Sequence, residues 1–104
     1  MSPKTRKRLK FTVRAARDLT HMRRSVAKSN PSRAPGFMSE FLQKLHWIAE
    51  VGFTGSPRDD VAPGLRALPF RGRCIYFRHY PDSVLIIRIL HGAQDVTAQP
   101  FDPD

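Results

Sequence analysis

The C-terminal half of the chain carries four arginines in strand-like segments, Arg66, Arg73, Arg78 and Arg88. The last sits inside the aliphatic run of "LIIRILHGAQD", Leu85 to Asp95. A guanidinium fork matches the oxygens of a phosphate or a carboxylate, so arginines gathered on one sheet face could grip phosphates. The same spacing also suits a structural pair, with Arg88 closed by Asp95 or Asp82. Spacing leaves both readings open. Other chemistry is poorly served. His21, His46, His79 and His91 fall on different elements and Cys74 has no CxxC or CxxH neighbour, so neither a metal nor a cofactor is expected. No Gly-rich loop opens a helix in the way a phosphate cradle requires. A lone cysteine within a strand reads as a small core residue, not a nucleophile.

The elements that must position these residues follow from periodicity. Leu9–Ala15 alternates apolar and polar and predicts a half-buried strand. From Ala15 to Ser29 the period becomes helical: Ala15, Leu19, Met22 and Val26 share one side, and Arg17, His21, Arg24 and Lys28 line the other as a basic stripe. Asn30–Pro31 ends this helix, because the residue before proline avoids the α region. A second helix is predicted over Ser32–Val51, with Pro35 in its first turn. Its apolar arc of Phe37, Met38, Phe41, Leu42, Leu45, Ile48 and Ala49 is broad enough to meet both a sheet and the first helix. Trp47 lies off that arc, as a rim residue against a loop.

Gly52–Gly64 is rich in glycine and proline and reads as a loop. Three strands are predicted after it, Leu65–Phe70, Cys74–His79 and Val84–Leu90, with turns at Arg71–Gly72 and Tyr80–Ser83. Both parities of the last strand are apolar, which predicts a central strand covered on both faces. By strict alternation Leu85, Ile87 and Ile89 face the helices and Arg88 the opposite, helix-free side, beside Arg73 or Arg78. The order β-α-α-β-β-β implies an α+β domain, a helical hairpin on one face of a small antiparallel sheet.

At 104 residues, 40% hydrophobic and 26% charged, the chain suits one soluble domain over residues 9–96, flanked by a flexible basic tail, 1–8, and a C-terminal tail, 97–104. No apolar run approaches the ~18 residues of a membrane span. The basic start lacks the apolar stretch of a secretory signal, and a single cysteine fits a reducing compartment, so a cytoplasmic location is expected. The net charge of +9 is concentrated. Residues 1–33 hold eleven Lys/Arg against Asp18 alone, while residues 34–104 hold seven against eight acids. Such clustering favours a polyanionic or acidic partner.

"AARDL" at Ala15–Leu19, "NP" at Asn30–Pro31, "PGLR" at Pro63–Arg66, "GRCIYFR" at Gly72–Arg78 and "IIRILHGAQD" at Ile86–Asp95 occur in an order and spacing that resembles the RelE/ParE superfamily of toxin–antitoxin toxins. The resemblance implies the hairpin-on-sheet fold. It also implies one of two activities: ribosome-dependent cleavage of messenger RNA in RelE-like members, or inhibition of DNA gyrase without chemistry in ParE-like members. Arg73 matches, within one residue, a nuclease arginine of the penultimate strand. Gln94 stands where the nuclease pattern has an arginine, and the tail "VTAQPFDPD" offers neither tyrosine nor histidine. A neutral amide supplies no cation to a pentacoordinate phosphate, a loss of about 10²-fold or more in rate. His91 reads as a structural histidine.

The balance favours the ParE-like branch, a binding toxin and not an enzyme. Arg66, Arg73, Arg78, Arg88 and Gln94 would then form its target- or partner-binding set. The resemblance further implies a cognate antitoxin and a toxin–antitoxin hetero-oligomer. Charge asymmetry points to an acidic, amphipathic antitoxin segment lying along Arg17, His21, Arg24 and Lys28 or on the open sheet face.

Overall fold

The computed structural model describes residues 7–92, 94 and 96–101. Strand β1 (Arg8–Phe11) leads into helix α1 (Val13–Ser29), and helix α2 (Ala34–Val51) follows. The chain then forms β2 (Ser56–Pro57), β3 (Arg66–Phe70), β4 (Arg73–His79), β5 (Ser83–His91) and a 3₁₀ turn, Val96–Ala98. The sheet order is β1-β5-β4-β3-β2. β1 lies parallel to β5, and every other pair is antiparallel. The two helices therefore pack on a five-stranded α+β sheet that is mixed at one edge. Among the described residues no helix is long and apolar enough to cross a membrane.

The first strand is shorter than its alternation predicts because Thr12 takes another role. Its hydroxyl accepts the Ala15 N–H at 2.9 Å, capping α1, and donates to the Ile87 carbonyl at 2.8 Å. Its backbone N–H reaches the Ile86 carbonyl at 3.0 Å. An N-cap residue of this kind replaces an orphan helical donor's partner and ends the strand at once. Val13, next in the strand-like pattern, is left 57% exposed. Upstream, the Arg8 N–H bonds the Asp82 carbonyl and the Lys7 ammonium donates to His79 Nδ1. Arg8 thus begins the sheet and Lys7 reaches β4 through His79, whereas positions 1–6 of the expected tail lie outside the described residues.

α1 buries Ala15 and Met22 and leaves Arg17, His21, Arg24 and Lys28 exposed. α2 buries Phe41, Leu45, Ile48 and Ala49, with Leu42 at the arc's edge exposed. It stops at Gly52, whose φ of 67° gives a left-handed cap returning its N–H to the Ile48 carbonyl. Trp47 packs on Phe53 just beyond that cap. Under the hairpin, Ile75 and Phe77 of β4 and Val84, Ile86 and Ile89 of β5 complete the core. Each such side chain, fully buried, contributes roughly 1.5–3 kcal/mol.

Alternation along β5 fails at one place. The register shifts between Tyr76 and Phe77, which face Arg88 and Ile86 and leave Ile87 as an extra residue. Up to this bulge the strand's parity is the reverse of the one expected, and from Arg88 on it agrees with it. Val84 and Ile86 face the helices before it and Ile89 after it, while Ile87 and Leu90 turn to the other side.

That other side is not open. Leu65, Ala67, Tyr76, Ile87, Leu90 and Phe101 form a second core there. Phe101 meets Tyr76 edge-on at a 5.0 Å ring separation, so the C-terminal segment expected as a tail packs on the sheet up to residue 101. Positions 102–104 lie outside the described residues. Burial here pushes the Tyr76 phenol up to about 12.

The β3–β4 turn places Arg71 (φ 52°) and Gly72 (φ 77°) both in the left-handed region, as a two-residue hairpin of type I′ demands. Gly55, at φ 63°, is the tighter case. A Cβ there would stand 2.6 Å from the Ala67 carbonyl oxygen and 2.9 Å from Phe77 Cζ. Gly55→Ala should therefore destabilise the fold by about 2–4 kcal/mol, combining left-handed strain with overpacking. Urea denaturation measures it; an unchanged midpoint would show that the loop re-forms elsewhere.

Candidate functional site

The five arginine and glutamine positions singled out above do not converge. Arg66 is spent on the loop after α2, its Nε donating to the Thr54 carbonyl at 2.6 Å and its Nη2 to the Gly55 carbonyl at 3.2 Å. Arg78 lies on the reverse face, in a groove with Asp60, Pro63, Gln99 and Phe101. Its Nε is buried with no hydrogen-bond partner among the described residues. Asp60, the nearby acid, is held by Arg58 through two hydrogen bonds.

By register Arg88 stands opposite Tyr76, on the side of the second core and away from the helix-facing Ile89, but it is not open to a partner. Its Nε and Nη2 donate to Asp18 Oδ2 and Oδ1 at 2.8 and 2.9 Å, a fork-on-fork pair with side chains only 9% and 12% exposed. Asp18 Oδ2 also accepts the Ile89 N–H at 2.9 Å. Arg88 Nη1 donates to Gln99 Oε1 and the Pro100 carbonyl. The pairing reading of Arg88 holds, but its acid comes from α1, not from Asp82; Asp95 lies outside the described residues. Sequence reasoning passed over Asp18, although a signal existed. It is the one acid in the basic first third, placed three residues after Ala15 and four before Met22, on the apolar side of α1.

Arg73 and Gln94 do meet. They line one cleft of about 290 Å³ together with His21, Met22, Ser25 and His91, over the Asp18 pair. Arg73 and His91 are cross-strand neighbours at the end of the sheet. The Arg73 guanidinium rests 5.7 Å from the Phe37 ring centre, and burial pushes its pKa down. Gln94 is bound into the turn: its Oε1 accepts the His91 N–H at 2.7 Å and its own N–H bonds the His91 carbonyl at 3.0 Å. The amide oxygen is thereby committed to closing the chain after β5. Of the basic stripe, His21 reaches this cleft, while Arg17, Arg24 and Lys28 stand on the exposed surface of α1.

Burial pushes the Cys74 thiol up, which disfavours the thiolate. Among the described residues no three His, Cys, Asp or Glu side chains gather where they could hold a metal ion. The cleft thus gathers one partly desolvated guanidinium, two imidazoles, a neutral amide and the Asp18 carboxylate that Arg88 holds.

Residues 9–96 match the family model of the ParE toxin of type II toxin–antitoxin system, parDE. The chain belongs to the ParE toxin family. Among curated protein sequences none matches significantly. A solved structure described as the chromosomal ParDE TA system from P. aeruginosa is similar in fold, with a TM-score of 0.70 at 24% identity over 83% of this chain and 96% of that one. For this ParE-family chain the Arg88 pair is a structural element. Arg88→Lys keeps the charge but loses the fork, and should cost about 1–3 kcal/mol of stability. Toxicity, normalised to folded protein, should stay level; a selective loss of toxicity at full stability would return Arg88 to the functional surface.

Proposed function

We propose that the chain is a binding toxin that inhibits DNA gyrase and is neutralised by a cognate antitoxin. The observation that carries this reading is Gln94. At the position where the resembled nucleases have an arginine, a neutral amide is tied to the backbone of its own turn. With Arg88 held by Asp18, one guanidinium, Arg73, faces the cleft among the described residues. Phosphoryl transfer needs charge placed around the equatorial oxygens of the transition state, and each preorganised donor removed costs about 10²–10³-fold. A single arginine falls short of that requirement. A toxin that acts by occupying a surface has no such need, and membership of the ParE family agrees with it.

One feature favours a second reading. His21 and His91 share the cleft with Arg73, and an imidazole pair beside a cation is the material of general acid–base catalysis. The two readings part cleanly in experiment. As a gyrase inhibitor, purified toxin should suppress supercoiling by gyrase and trap a cleaved-DNA complex, while transcripts from induced cells keep intact 5′ ends at ribosomal A sites. Intact supercoiling together with new A-site 5′ ends would replace the gyrase reading with the ribonuclease.

A further inference from the structure

The charges of α1 do not suit α1 itself. No acid stands in its first turn, while Arg14 and Arg17 lie near its N-terminus, where the helix dipole favours anions. Arg24 and Lys28 are like charges four residues apart, a spacing that weakens a helix. Of these bases only Lys28, in the last turn, complements the dipole. The helix holds because Thr12 caps it and Ala15 and Met22 are buried beneath it. Arg17, Arg24 and Lys28 take no part in that packing. All three are exposed, and none forms an ion pair among the described residues.

At about 3.6 residues per turn, Arg17, His21, Arg24 and Lys28 fall within about 60° of one another and form a straight stripe about 16 Å long. Exposed Ser25 borders it with a hydroxyl. Asp18, the one acid of the helix, is turned to β5 and held there by Arg88 and the Ile89 N–H, so no negative charge interrupts the stripe.

A rigid row of cations fits a rigid polyanion. Duplex DNA is one, with a negative charge for every ~1.7 Å of its axis. A single strand would need aromatic platforms for its bases, and α1 has no Phe, Tyr or Trp. A membrane would need an apolar face free to insert, whereas that of α1 lies in the core. An acidic amphipathic peptide would need apolar surface among the charges, and between Arg17 and Lys28 the stripe has none. B-form DNA also has a major groove about 12 Å wide that admits a helix face, unlike the narrow one of duplex RNA.

We infer that the outer face of α1 is a docking surface for duplex DNA, with Arg17, Arg24 and Lys28 donating to backbone phosphates. Contacts of this class seat a protein on the duplex without reading its sequence. The inference does not use the gyrase reading, because it requires no enzyme and gives the chain its own hold on DNA.

The test is fluorescence anisotropy of the full chain with a labelled mixed-sequence duplex of about 20 base pairs, in salt from about 50 to 200 mM. Three phosphate contacts should make log K fall with log salt at a slope of about −3. Arg17→Gln with Arg24→Gln should flatten that slope by about 2 and weaken binding about tenfold or more at ~100 mM salt. Arg17→Lys with Arg24→Lys keeps the charge and should keep the slope. Arg23→Gln with Arg33→Gln removes equal charge from exposed positions off the stripe and should leave the slope unchanged. Circular dichroism of each pair reports whether the helix is intact. No binding at the lowest salt, or equal flattening by the two glutamine pairs, would overturn the inference. So would tighter binding to a single strand, an RNA duplex or phosphatidylserine vesicles. Supercoiling assays need gyrase and this titration does not, so failure of either proposal is visible without the other.

Discussion

Asp18 accepts three hydrogen bonds at once, two from the Arg88 guanidinium and one from the Ile89 N–H. β1 pairs with β5 only as far as Ile86, so beyond that point the edge of β5 needs other partners. Thr12 takes the Ile86 and Ile87 carbonyls, and Asp18 takes the next N–H. α1 thus closes a strand edge with one hydroxyl and one carboxylate, where an open edge would invite pairing with another chain. Removing two charges from water costs several kcal/mol per ion, and only dense hydrogen bonding offsets it. Arg88 meets that condition by also donating to Gln99 and Pro100, which ties the C-terminal segment into the same network.

That network decides what remains for function. With Arg88 enclosed and Arg66 clamped on the loop after α2, the sheet does not present the arginine cluster that its strands suggest. The bulge at Ile87 sets which side chains of β5 before it meet the helices and which meet the second core. What is left at the end of the sheet is Arg73 on Phe37, beside two imidazoles and a glutamine committed to its own turn.

Much of the architecture was legible in the chain itself. The change from twofold to helical periodicity near Ala15, the break at Asn30–Pro31 and the three strands after Gly64 fall within a few residues of their observed bounds. The basic stripe of α1 is exposed as its spacing indicates. Three things were not legible, and each is a long-range effect. The bulge falls at Ile87, whose carbonyl accepts the Thr12 hydroxyl across the strand edge. The cover over the second face depends on Phe101 finding Tyr76. The acid for Arg88 lies seventy residues away in sequence, on a helix face whose apolar neighbours conceal it. Local pattern reports which residues want burial, not which distant partner satisfies them.

Asp18 and Arg88 form a coupled, buried structural unit. A double-mutant cycle in urea, with Asp18→Ala, Arg88→Met and the pair together, measures it directly. Each single change should be costly, since it strands an unpaired buried charge, while the double variant should be far less costly than their sum. The predicted coupling is about 2 kcal/mol or more. Additive losses, with coupling below about 0.5 kcal/mol, would mean that the two residues act independently and that Arg88 is free to serve a target.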